Sequence, residues 1–182
     1  MERNVDMTEI SDGKRYTSND LAKLGCGDCA GCSKCCHGMG ESITLDPYDI
    51  YNLTINLKMT FNELLAESLG LSVKDMIILP HLNLKAEGEG CLFLDENGRC
   101  SIHSFRPGIC RLFPLGRIYE NESFSYFLQI NECVKQNRTK VKIKKWLGIP
   151  NLAAYENYIN TWHYFLKNMK AFLEEQDNEE MS

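Results

Sequence analysis

Five cysteines lie within eleven residues near the start of the chain. The stretch GCGDCAGCSKCC spaces Cys26, Cys29, Cys32 and Cys35 three residues apart and adds Cys36 next to Cys35. Thiolates bind a metal when several converge, because the metal's charge offsets the cost of ionising and burying each sulfur. Bacterial ferredoxins use a C-x₂-C-x₂-C run for 4Fe–4S clusters, whereas zinc usually takes two well-separated C-x₂-C pairs. The spacing therefore predicts a metal site and favours an iron–sulfur cluster over zinc.

The adjacent pair Cys35–Cys36 limits how these sulfurs can be used. Neighbouring side chains on an extended segment point to opposite sides, so both thiols need not reach the same ion. The pair can serve two sites, or one of its thiols can have a supporting or redox role. Packing of free cysteines in the core is the alternative for one or two of the nine cysteines.

Two further cysteines, Cys91 and Cys100, flank the turn residues Asn97 and Gly98. The sequence CLFLDENGRCSI predicts an antiparallel hairpin there. In the predicted register Leu94 pairs with Arg99 and Cys91 pairs with Ile102. Cys91 and Cys100 are then diagonal neighbours on the same face of the hairpin, where one metal ion could bind both sulfurs.

Size and composition indicate one soluble globular domain. The chain has 182 residues, of which 43% are hydrophobic and 25% charged, so it can bury a core without disulfides. No apolar leader or membrane-length run is evident in the sequence, so we expect a cytoplasmic protein whose thiols stay reduced. The net charge of −5 argues against general affinity for nucleic acid or an anionic membrane.

Local signals predict an α+β fold, a small cysteine-rich domain with β-hairpins and several helices around a metal site. We expect a short helix within residues 17–25, helices at 47–58, 61–69 and about 151–175, a strand within 76–85 interrupted by Pro80, and a second hairpin within 115–130. Apolar residues of the last helix recur at steps of three and four, which predicts one buried stripe. The predicted organisation is a polar N-terminal segment with a short helix (1–25), a metal-binding domain (26–135), a C-terminal helical segment packed on it (136–175) and a disordered tail (176–182).

Three motifs resemble the YkgJ-type cysteine-cluster family, a zinc- or iron-chelating domain. They are CxxCxxCC at Cys29–Cys36, the hairpin GCLFLDENGRCSI and RPGICRLFP, followed by Cys133. The resemblance covers about residues 29–133. It implies eight metal ligands: Cys29, Cys32, Cys35, Cys36, Cys91, Cys100, Cys110 and Cys133. Cys26 is additional to this pattern and is a possible extra ligand.

Two arginines, Arg106 and Arg111, bracket Cys110. Their guanidinium groups could donate to thiolate or sulfide, which would offset negative charge and tune a cluster. Ordinary salt bridges to nearby acids are the alternative interpretation.

These residues support three classes of function. The first is a metal-binding protein that holds an iron–sulfur cluster, with 4Fe–4S favoured, or zinc. The second is a redox or methyl-transfer enzyme acting on a protein partner; a flagellin lysine methylase carries a similar cluster in a longer chain. The third is a metal chaperone or sensor. The sequence does not distinguish the second from the third and assigns no catalytic residue.

Overall fold

The computed structural model describes residues 6–27, 29, 32–85 and 90–180. The helices are α1 (Met7–Ile10), α2 (Pro47–Leu57), α3 (Phe61–Glu67), α4 (Gly108–Leu112), α5 (Ile143–Leu147) and α6 (Leu152–Glu180). The strands are β1 (Leu21–Gly25), β2 (Leu69–Lys74), β3 (Ile77–Leu82), β4 (Leu115–Glu120), β5 (Ser123–Leu128) and β6 (Thr139–Lys142). This mixture of helices and antiparallel strands confirms the predicted α+β class.

The described residues contain three two-stranded antiparallel sheets, β1–β6, β2–β3 and β4–β5. The β4–β5 hairpin was predicted, and it pairs Leu115 with Leu128 at its open end. Its two turn residues, Asn121 and Glu122, both have positive φ, as the tightest hairpin turns require.

Helices α2 and α3 begin where their capping signals predict. Asp46 caps α2, with Pro47 as the first helical residue, and the Asp46 side chain accepts a hydrogen bond from the Asp49 amide. Thr60 and Glu63 form a reciprocal capping box at the start of α3. Each cap satisfies backbone amides that have no partner within the helix, which explains why these boundaries could be predicted.

The helix predicted within residues 17–25 is wrong. Thr17 and Asp20 form a hydrogen-bonded turn, and the following residues form β1. Ala22 and Leu24 are buried, whereas Leu21 and Lys23 are exposed. Alternation of this kind is the period of a strand. Pairing with β6, more than a hundred residues away, overrides the local helix signal.

Strand β2 was not predicted, because its residues follow a strong helix signal. Helix α3 ends at Glu67, two residues before the predicted end, and Gly70 lies in β2. Strand β3 runs through Pro80, which pairs with Leu71, so the predicted interruption is absent. A two-stranded sheet tolerates proline because each strand has a free edge.

The hairpin predicted at CLFLDENGRCSI is not formed as two strands, because no strand lies within the described residues 91–102 and only isolated bridges remain, one of which pairs Cys91 with Leu84. Leu94 pairs with Cys100 instead of Arg99, in an isolated bridge. The Asp95 carboxylate accepts hydrogen bonds from the amides of Asn97 and Arg99, which tightens the turn. Both cysteines still pack against one hydrophobic core.

Two hydrophobic cores organise the fold. The first core joins β1, β4, β5, α5 and Leu112 of α4. The second core joins α2, α3, β2, β3 and Ile102, with Cys91, Cys100 and Cys110 packed against it. Helix α4 therefore contacts both cores, with Leu112 in one and Cys110 against the other.

Helix α6 is longer than predicted and only partly buried. It continues to Glu180, so the tail predicted as disordered from residue 176 is helical up to there, and residues 181–182 lie outside the described residues. Tyr155 and Ile159 are buried, but Phe165 and Phe172 are 49% and 56% exposed. The predicted buried stripe thus holds only for the first half of the helix.

The described helices include none with the length and apolar composition needed to cross a membrane.

Candidate metal centre

All nine cysteines lie among the described residues, and none of them forms a disulfide. Each of these residues is partly exposed. Cys35 and Cys36 lie in a single 3₁₀ turn, Lys34–Cys36, while Cys110 lies in α4. Loops and short turns thus carry most of the thiols, and Cys91, Cys100 and Cys110 pack against the second core.

A backbone hydrogen bond joins the N-terminal cysteines to the second group. The amide of Cys91 donates to the carbonyl of Cys36, at 2.8 Å. Beside this bond the His37 ring lies so close to Gly90 that a Cβ there would be 3.1 Å from it. The backbones of Cys36 and Cys91 are therefore adjacent in the fold.

Five thiols act on one another electrostatically, and we call them the five-thiol cluster: Cys35, Cys36, Cys91, Cys100 and Cys110. A hydrogen bond to Cys35, then burial, raises the pKa of Cys36, and the charges of Cys35, Cys110 and Cys91 raise it further. Burial, then the charge of Asp49, raises the pKa of Cys110, with added contributions from Cys91, Cys100 and Cys35. These thiols thus lie within the range of one another's charge.

Cys35 differs from the rest of the five-thiol cluster. A hydrogen bond from the Cys36 thiol stabilises the Cys35 thiolate, and it lowers the pKa of Cys35 to about 7 against the opposing effect of burial. A backbone hydrogen bond and the positive charges of Arg106 and His37 act in the same direction. The surroundings of Cys35 thus favour the thiolate, which is the form that binds metal.

Cys26 and Cys29 form a pair at the edge of the cluster, with their sulfurs 3.7 Å apart. Burial, then the charge of Cys26, raises the pKa of Cys29 to about 12. The charge of Cys35 also acts on Cys29, which places this pair next to the five-thiol cluster. Cys26, additional to the sequence motif, is thus a close neighbour of a predicted ligand.

Cys32 and Cys133 are connected to the other cysteines through the backbone. The amide of Cys32 donates to the carbonyl of Cys29 at 3.0 Å. Cys133 precedes β6, whose first residue, Thr139, pairs with Gly25 at the end of β1. Because β1 and β6 are antiparallel, the segments carrying Cys26 and Cys133 leave this sheet at the same end. This topology, which the sequence did not reveal, directs Cys133 toward the N-terminal cysteines.

The two arginines beside Cys110 have different surroundings. The charge of Arg106 acts on Cys29, Cys35 and Cys100, and its guanidinium donates to the carbonyl of His103. The Arg111 guanidinium donates to the carbonyls of Ser104, Arg106 and Leu147, which braces the chain on both sides of α4. Arg106 thus lies in the thiol region, whereas Arg111 ties backbone segments together.

The donor set fits zinc or iron in its chemistry: soft thiolates, no disulfide, and a nearby positive charge. Within the described residues, no three cysteine, histidine or acidic side chains yet converge on a common centre. Thiol sites commonly close only when the metal binds, because uncompensated thiolates repel one another.

Asp46 and Asp49 are site residues that the sequence did not single out. Both are buried, and Asp49 accepts a hydrogen bond from the Gly108 amide, two residues before Cys110. The sequence signal was limited to Asp46 as a helix cap. The connection from Asp49 to Gly108 spans 59 positions and arises only in the folded chain.

Comparison with known families identifies one that the chain matches over most of its length. No solved structure matches the chain. A family model, CxxCxxCC, described as a "putative zinc- or iron-chelating domain", matches residues 28–145, well over half of the chain. The match contains every predicted ligand and begins after Cys26. The chain therefore belongs to the CxxCxxCC family of zinc- or iron-chelating domains.

Proposed function

We propose that this protein is a cytoplasmic metal-binding protein that holds an iron–sulfur cluster through its cysteines. The observation that carries the proposal is that cysteines distant in sequence come together, since the Cys91 amide donates to the Cys36 carbonyl and Cys91, Cys100 and Cys110 pack against one core. Together with the five-thiol cluster, Cys29, Cys32 and Cys133 complete the proposed ligand set, and Cys26 is a possible extra ligand. A 4Fe–4S cluster would supply one-electron chemistry, and zinc in the same sulfurs would be structural.

Two features favour iron over zinc. The C-x₂-C-x₂-C run has the spacing found in ferredoxins. The chain also has more cysteines than the four ligands that one structural zinc ion takes. The charge of Arg106 also reaches three of the thiols, which would offset the negative charge of a cluster. Zinc remains the alternative, since eight thiolates can fill two four-sulfur sites.

Purification without oxygen separates the two metals. We expect brown protein with broad absorbance near ~400 nm that bleaches in air, and iron with acid-labile sulfide. Zinc has a filled d shell, so a zinc protein is colourless. Colourless protein containing stoichiometric zinc would contradict the iron proposal and leave zinc binding as the function.

Partial exposure of the nine cysteine residues favours one second candidate, a metal chaperone or sensor. Exposed ligands allow a competing chelator to attack, so such a protein would give up its metal within minutes. Time-resolved transfer of zinc or iron to a coloured chelator tests this candidate. Retention of the metal for many hours would argue for a permanent site.

A further inference from the structure

Asp49 lies in α2, remote in sequence from every cysteine beyond the N-terminal group, yet it contacts the base of the helix that carries Cys110. Its side chain is buried, with the residue only 5% exposed. Its Oδ1 atom accepts a hydrogen bond from the Gly108 amide at 2.8 Å. Gly108 is the first residue of α4, and Cys110 follows in the same helical turn.

Helix α4 needs such a partner because it cannot cap itself. It has only five residues, and its N-cap residue, Pro107, makes no side-chain capping hydrogen bond. Helices this short are unstable alone, since few internal hydrogen bonds offset the cost of ordering the first turn. The Asp49 carboxylate satisfies an amide that the helix leaves without an internal partner.

Asp49 is itself held in place by two hydrogen bonds with Asp46. Its amide donates to the Asp46 carboxylate at 2.9 Å, and its own Oδ2 atom accepts from the Asp46 amide at 3.4 Å. The hydroxyl of Tyr158 on α6 donates to the same oxygen of Asp46, at 3.2 Å. Helix α6 therefore anchors the start of α2, and α2 anchors α4.

Close packing leaves α4 little freedom at this point. A Cβ on Gly108 would overlap the hydroxyl oxygen of Tyr155, and it would lie 3.7 Å from Oδ1 of Asp49. The chain thus approaches Asp49 and α6 as closely as a glycine allows. The direction of Cys110 is set by this contact on one side and by Leu112 in the first core on the other.

We propose that Asp49 is a positioning residue, which caps α4 through the Gly108 amide and so directs the Cys110 sulfur into the five-thiol cluster. This inference rests on the proposed function, because it assigns Asp49 to a metal ligand. The hydrogen bond, and not the charge, is the essential feature. An asparagine side chain keeps an oxygen that can accept from Gly108, whereas alanine does not.

The test compares Asp49→Ala and Asp49→Asn with the unchanged protein, using zinc alone as the probe in competition with a coloured chelator. We expect Asp49→Ala to weaken zinc binding about tenfold or more, and Asp49→Asn to stay within about threefold of the unchanged protein. Thr60→Ala is the control, since it removes the N-cap hydrogen bond at the start of α3, a helix without cysteines. Its stability in urea should fall while its zinc affinity is unchanged.

Amide hydrogen exchange at residues 108–112 gives a second readout that needs no metal. Protection of these amides should fall in Asp49→Ala and persist in Asp49→Asn. Equal zinc affinity in the alanine variant, equal protection of its α4 amides, or an asparagine variant as weak as alanine would each overturn the positioning role. If Asp49→Ala does not fold, Asp49→Ser replaces it, since its side chain is too short to reach Gly108 and the same losses are expected.

The two failures are distinguishable. If the unchanged protein binds neither zinc nor iron, the proposed function fails, and the amide protection still decides whether Asp49 holds α4. If the unchanged protein binds zinc and the alanine variant binds it equally well, only the role of Asp49 fails.

Discussion

The adjacent cysteines Cys35 and Cys36 are the most unusual residues of the site. The Cys36 thiol donates to the sulfur of Cys35, so one member of the pair is stabilised as thiolate and the other as thiol. The positive charge of Arg106 favours the thiolate. Metal binding would release a proton from each ligand that is still a thiol, and Cys35 is the ligand whose surroundings most favour the thiolate.

Serine substitutions at Cys26 and Cys29 form a matched pair at the edge of the site. Their sulfurs are 3.7 Å apart, but only Cys29 lies within the family match. We expect Cys29→Ser to lower the metal content of the purified protein clearly and Cys26→Ser to change it little. Metal analysis after identical purification measures both, and an equal loss in the two variants would make Cys26 a ligand.

Gly108→Ala tests the close contact between α4 and α6. The added methyl group would overlap the Tyr155 hydroxyl, so we expect a loss of about 1–3 kcal/mol in the free energy of unfolding. Tyr155→Phe removes the oxygen, and the double variant should therefore lose less than the sum of the two single changes. Urea denaturation of the four proteins gives the coupling, and strictly additive losses would show that the two residues do not clash.

At the level of elements, the hairpin β4–β5 contains a turn residue poorly suited to its conformation. Glu122 has a φ of 57°, a left-handed value that costs a residue with a side chain about 1–2 kcal/mol. We expect Glu122→Gly to stabilise the protein by about 0.5 kcal/mol, because glycine adopts this conformation readily but is more flexible when unfolded. Its backbone carbonyl, which accepts from Asn160, is retained.

Gly98→Ala makes the opposite substitution to Glu122→Gly, since it replaces a glycine that has positive φ. Gly98 also has positive φ, at 68°, so alanine there should destabilise the fold by about 1 kcal/mol. Thermal unfolding of both variants provides the comparison. A destabilised Glu122→Gly protein would show that the Glu122 side chain contributes more than its strained backbone costs.

Elements with local signals were predictable from the sequence, and elements that depend on distant partners were not. Asp46, Pro47 and Thr60 mark helix starts through contacts within a few residues, and those starts are confirmed. Strand β1 depends on β6, so the local helix signal over residues 17–25 was misleading. The register between Leu94 and Cys100 was missed because the Asp95 carboxylate tightens the turn.

The same distinction applies to the candidate site. The cysteine spacing and the motifs identified the family, which the comparison confirmed. The contribution of Asp49 could not be predicted, because a buried carboxylate and the amide it caps are 59 positions apart. Arg106 and Arg111 look equivalent in the sequence, and only their folded surroundings distinguish them.

At the scale of the whole molecule, the thiol region lies where the two cores meet. Cys91, Cys100 and Cys110 pack against the second core, while α4 continues into the first through Leu112. A metal bound by these thiols would connect segments that are far apart in sequence. Binding free energy at such a site contributes to folding free energy, because the unfolded chain does not present the same ligand arrangement.

Withdrawal of metal should therefore lower the thermal stability of the whole protein. We expect the unfolding temperature to fall when a chelator removes the metal under reducing conditions, and to recover when zinc or iron is restored. Calorimetry with and without chelator provides the measurement. Complete removal of metal with an unchanged unfolding temperature would mean that the thiols hold metal without supporting the fold.

X-ray absorption at the metal edge of anaerobically purified protein tests the central claim most directly, because it identifies the atoms bound to the metal. We predict a shell of sulfur ligands, with Zn–S distances near ~2.3 Å if the metal is zinc, or a sulfur shell with iron neighbours if it is a cluster. The shell should lose sulfur in Cys110→Ser and in Cys36→Ser, one variant from each cysteine group. A shell of nitrogen and oxygen ligands, or protein that binds neither zinc nor iron, would contradict a metal centre built from the cysteines.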